Sequence, residues 1–116
     1  MYIWKPFQYN NVFEDFYATC DEDTQGAIDH RLDRLIDRGN LAREPISKPL
    51  GDGIFELRAK SARLLYYFGF NREIIFVHAL HKKRYDVPKR DIDLAKKYRD
   101  LIESNLESYD EITIFN

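Results

Sequence analysis

The chain has 116 residues, with 18 Lys and Arg against 20 Asp and Glu, for a formal charge of −2. That length makes one domain, residues 1–116, around one modest core. A lone cysteine, Cys20, excludes a disulfide framework or cysteine metal cluster and fits a reducing cytoplasm, while no apolar run approaches membrane-spanning length.

Tyr2 to Trp4 is a short aromatic and β-branched run stopped by Pro6, which predicts a short first strand. The opening residues have no signal-peptide layout. Asn10 or Asn11 then caps a short helix whose apolar stripe is Val12, Phe13, Phe16 and Tyr17. A second helix begins near Asp23 and Thr24. Its core-facing stripe is Ile28, Leu32, Leu35 and Ile36, and Gly39 stops it. Residues 40–53 carry Pro45, Pro49, Gly51 and Gly53 and read as loop.

From Ile54 to Arg58 the chain alternates, with Phe55 and Leu57 on one side and Ile54, Glu56 and Arg58 on the other. A tight connection over Ala59–Ala62 leads to a strand over Arg63–Phe70. Asn71 and Arg72 turn the chain into a third strand, Glu73–His81, completing an antiparallel meander. Asp86, Val87 and Pro88 open a last helix, with proline in its first turn, and Ile92, Ala95, Tyr98, Leu101 and Ile102 form its apolar face. The tail, residues 107–116, is either a docked strand or a loose end. The expected fold is α+β in the order β-α-α-β-β-β-α: a small antiparallel sheet with helices packed on one face and the other face open.

Charge is distributed unevenly. Residues 1–57 hold 6 Lys and Arg against 11 Asp and Glu, residues 58–99 hold 12 against 4, and residues 100–116 hold none against 5. A basic middle between acidic ends makes a local positive field suited to a polyanion, with RNA the first expectation. Lys96, Lys97 and Arg99 read as a solvated helix face. Arg58, Arg63, Lys82 and Lys83 instead lie in or beside apolar strand runs. His30, His78 and His81 have no zinc-site spacing, so no metal or other cofactor is expected.

The stretch from Leu50 to Ala95 resembles the RelE/ParE toxin superfamily, and within it the HigB-type, phage-derived branch. The resemblance is carried by Gly53 to Arg58, by Arg63 opening a strand that contains Tyr66-Tyr67-Phe68, and by Ile75 to Lys83. It closes with Val87-Pro88-Lys89-Arg90-Asp91-Ile92 and Ala95, and the helix pair at 11–39 fits the same layout. The resemblance implies the toxin of a type II toxin–antitoxin system: a metal-free mRNA endonuclease, associated with the ribosome, that inhibits translation. Its implied partners are mRNA, the ribosome and a cognate antitoxin, usually a helix-turn-helix protein of the HigA kind. A non-enzymatic inhibitor of DNA gyrase, like the ParE branch, and an inactive phage-derived relic stand as alternatives, since fold does not fix function.

Metal-free cleavage has the ribose 2′-OH attack phosphorus. A base takes the 2′ proton, cations stabilise the phosphorane, and an acid protonates the 5′ oxygen. Arg58 and Arg63 match cationic positions of the superfamily and are the candidates for clamping phosphate; Lys83 matches a third. Glu56 shares a side with Arg58 and is either the base or the salt-bridge partner that orients Arg58. His81 is either a proton carrier or an exposed strand-end residue. His78 reads as a satisfied core histidine. Lys82, Arg84, Tyr85, Lys89 and Arg90 are candidate RNA contacts, Tyr85 through base stacking. The lysine-rich strand of the RelE branch is absent: Ile54 and Glu56 stand there, and Lys89 stands where that branch has a stacking tyrosine.

Overall fold

A computed structural model describes residues 4–82, 86–104 and the backbone of 112–114. The elements run β1 (Lys5–Tyr9), α1 (Val12–Ala18), α2 (Glu22–Arg38), a 3-10 turn (Gly39–Leu41), β2 (Ser47–Gly51), β3 (Ile54–Ala59), β4 (Ala62–Gly69), β5 (Glu73–His81), α3 (Lys89–Ser104) and β6 (Ile112–Ile114). The strands form one sheet in the order β2-β3-β4-β5-β1-β6. The expected meander is present, since β3–β4 and β4–β5 are antiparallel pairs. The architecture is α+β, but the sheet is mixed because β1 pairs with β5 in parallel.

Three boundaries differ from the sequence reading. The first strand lies at 5–9 and contains Pro6. Proline is tolerated there because the Lys5 N–H donates toward β5, to the Arg72 carbonyl at 2.8 Å, so by strand alternation the nitrogen of Pro6 faces away from β5 and no β1–β5 hydrogen bond is lost. The segment read as loop holds β2, which is itself a sheet edge and so accommodates Pro49. Helix α1 is not capped by an asparagine side chain. Asn10 and Asn11 both take positive φ, a conformation asparagine tolerates, and the buried Gln8 instead accepts the Glu14 N–H through Oε1 at 2.9 Å.

The second helix follows its sequence signals closely. Asp21 accepts the Thr24 N–H at 2.8 Å as N-cap, and Ile28, Leu32 and Leu35 are buried. Gly39 ends it at φ 56°, where a Cβ would fall 2.0 Å from the Trp4 indole. Only glycine permits both that backbone and that approach.

Helices cover both faces of the sheet, not one. On one face, Ile28, Leu32 and Leu35 of α2 and Phe13 of α1 meet Leu57, Leu64, Tyr66, Ile74 and Phe76. On the other, Val87, Ala95 and Ile102 meet Ile54, Leu65, Tyr67, Ile75 and Val77. The reason is written in β4 and β5. Leu64 to Phe68 and Ile74 to Val77 are continuous apolar runs, the pattern of strands covered on both sides. A bulge between Leu65 and Tyr66 in the β4–β5 register brings both Val77 and His78 toward α3.

Candidate nucleic-acid interface

Cross-strand register places the charged residues of the sheet. Lys48 pairs with Glu56, Glu56 with Leu65, and Arg58 with Arg63. Directly paired residues of antiparallel strands share a face, so Lys48, Glu56, Arg58 and Arg63 lie together, on the α3 face beyond the apolar cluster. Glu56 is the centre. Its side chain is fully buried, its Oε1 accepts from Arg58 Nε at 2.7 Å, and Arg63 Nε stands 3.2 Å from the same oxygen.

The two arginines differ in what they can reach. Arg63 is only 4% exposed, and its Nη1 donates to the Lys60 and Ala62 carbonyls. Burial and then the neighbouring Arg58 charge lower its pKa, against Glu56; an arginine starts high enough to stay charged regardless. Arg58 keeps 42% of its side chain exposed. Its Nε is tied to Glu56, and none of the hydrogen bonds among the described residues uses its Nη atoms. The result is a guanidinium fork with one nitrogen anchored and its far edge presented to solvent, a geometry that matches two oxygens of a phosphate.

Lys48 completes the row. Its Nζ donates to Asp86 Oδ1 at 2.8 Å, and that bond raises the lysine pKa and lowers that of Asp86. The sequence reading missed Lys48 because Pro49 and Gly51 hid its strand. The second oxygen of Glu56 has no hydrogen-bond partner among the described residues.

Other expected site residues are dispersed. His81 stacks on Phe16 of α1 with ring centroids 4.4 Å apart, and Thr19 and Ser61 lie at 3.4 Å from its nitrogens. It pairs with Ala62, on the α1 side of the sheet, away from Glu56 and Arg58. Lys82 follows β5, and its N–H donates to the Ser61 carbonyl at 2.7 Å. Lys89 is exposed and pairs with Asp93 at 2.7 Å, while the exposed Arg90 stands 3.8 Å from Asp91. Lys83, Arg84 and Tyr85 lie outside the described residues. His78, expected in the core, is half-buried and joins β5 to α3 through a 2.8 Å contact with Asp91.

An arginine fork anchored on one sheet face has the chemistry to meet an anion. The family model described as phage-derived protein Gp49-like (DUF891) matches residues 15–100, so the chain belongs to that family, which is a RelE-like, toxin-like family. No curated protein matches the chain. Among the described residues, no helix is long and apolar enough to cross a membrane.

Proposed function

We propose that this protein is the toxin of a type II toxin–antitoxin pair, of the HigB-type branch, and that it cleaves mRNA at the ribosome by 2′-OH attack without a metal. The observation that carries the reading is the Arg58 fork, held by a buried carboxylate and open to solvent at its far edge. Arg58 contacts the scissile phosphate and stabilises charge on the phosphorane, with Lys83 as the second cation. Glu56 and Arg63 act as positioning residues. A base has to touch the 2′-OH, and the complete burial of Glu56 supports an orienting role instead. Lys48, Lys82, Arg84, Lys89 and Arg90 hold flanking backbone, and Tyr85 stacks on a base. The packing of His81 against α1 leaves it out of this scheme. The neutralising partner is a helix-turn-helix antitoxin.

The test is induced expression in a bacterium, wild type beside Arg58→Ala, with growth and mRNA 5′ ends read together. Arg58 is the better probe than Arg63, because a buried Arg63 confounds activity with folding. Arrest with new mRNA ends is expected in the wild type. Losing one preorganised cation costs about 10²–10³ in cleavage rate, so both effects collapse in Arg58→Ala while the variant still folds, as circular dichroism should show. Arrest without new ends would instead point to a contact inhibitor of the gyrase type, and no arrest to an inactive relic.

A further inference from the structure

The arginines of α2 were not part of any expected site, since residues 1–57 are acidic overall. The fold sorts them. Arg31, Arg34 and Arg38 recur at helical spacing along one flank, and with Arg43 and His30 they line a cavity of about 350 Å³ beside the 3-10 turn. Glu44 is the one carboxylate among the residues lining it. Two acidic residues of α2 are turned elsewhere: Asp29 and Asp33 line the groove near Trp4, and Asp29 accepts from the Tyr17 hydroxyl at 2.9 Å.

None of the four guanidiniums is paired with a carboxylate among the described residues. Three are held in place by acceptors that are not carboxylates. Arg31 donates to the Pro45 carbonyl at 2.6 Å, Arg43 to the Asn40 and Ala42 carbonyls, and Arg34 to His30 Nε2 at 3.3 Å. Their orientation is set without a direct ion pair among the described residues, and four arginines share the cavity with one carboxylate, Glu44. Dipole compensation accounts for Arg38 in the last turn, but the effect fades within one turn and does not reach Arg31 or Arg34.

We propose that this flank of α2 is a second anion site, and that it takes the phosphates of an RNA backbone. Phosphate is favoured because each of its oxygens can accept from more than one guanidinium, so one strand can satisfy four clustered forks. Leu41, 74% exposed on the same cavity, gives an apolar contact for an unstacked base, and the exposed planes of Arg34 and Arg38 offer stacking surfaces. The site lies on the α1 and α2 side of the sheet and stands whether or not the protein cleaves RNA.

The test is binding of a single-stranded RNA oligonucleotide across a salt series, comparing wild type, Arg58→Ala and Arg34→Gln/Arg38→Gln. The last pair is chosen because neither residue bonds the backbone, so its unfolding midpoint should match wild type. Each lost phosphate contact lowers the slope of log affinity against log salt by about 0.7, so the double variant loses about 1.4. The loss is the same on every RNA sequence and is retained in the Arg58→Ala background. An unchanged slope in the double variant overturns the site. Binding of poly-glutamate as tightly as RNA, lost in the same double variant, overturns the RNA assignment in favour of an acidic protein segment.

Discussion

Replacing Glu56 with Gln preserves its shape and removes its charge. The fully buried carboxylate stands 3.2 Å from Arg63 Nε, and Arg63 is itself only 4% exposed. The variant therefore leaves a charged guanidinium inside the protein with no counterion, because its remaining partners are neutral carbonyls. Breaking a buried pair in this way costs about 3–5 kcal/mol. A domain of this size has about 5–15 kcal/mol in total and loses about 4 °C per kcal/mol, so the melting temperature should fall by about 12–20 °C. Arg58→Ala is the internal control. It removes the 2.7 Å hydrogen bond to the same buried carboxylate, but Glu56 keeps Arg63 as its counterion and water can enter the space of a half-exposed side chain, so the cost is about 1–2 kcal/mol, below that of Glu56→Gln. Glu56→Gln/Arg63→Met removes the orphaned charge and recovers most of the loss. Thermal unfolding followed by circular dichroism, with a urea series beside it, measures wild type and the three variants. A fall of less than about 4 °C for Glu56→Gln, below one kcal/mol on the same scale, refutes the reasoning. So does an Arg58→Ala cost equal to that of Glu56→Gln.

Two further outcomes follow from the core. Gly39→Ala meets a left-handed backbone and places Cβ 2.0 Å from Trp4, so urea unfolding should show about 2–4 kcal/mol lost at unchanged m; a loss under about 1 kcal/mol would contradict the close approach. Tyr66 is buried against Ser47, and burial raises its pKa, with the Ser47 bond opposing. The folded state thus keeps a proton that the unfolded chain gives up above about pH 10, so the contribution is intact below that pH and declines as pH rises through it. Denaturation midpoints from pH 9 to about 11.5 should show that decline, and Tyr66→Phe should flatten it; an identical slope in the variant would place the effect on other groups.

Local signals in the sequence set several elements outright. The stripe of Ile28, Leu32 and Leu35, closed by Gly39, specified α2 because helix period and a C-terminal glycine act within a few residues. Asn71 and Arg72, both at positive φ, specified the β4–β5 turn for the same reason. The side shared by Glu56 and Arg58 was legible from strand alternation alone. What stayed hidden depends on partners distant in the chain. Strand β2 forms because β3 offers Leu57, Glu56 and Phe55 to pair with, and its own Pro49 and Gly51 give no local sign of that. Parallel pairing of β1 with β5 is likewise a choice of edge, not of composition.

The sequence alone determined the α+β class, the antiparallel meander and the identity of the charged residues on one side of β3. Tertiary structure decided which of those charges face water. Arg58 and Arg63 are the same residue type on directly paired strands, yet one is 42% exposed and the other 4%. Depth in a folded sheet depends on what the chain lays over each position, and that is fixed only when helices and turns far apart in sequence have packed.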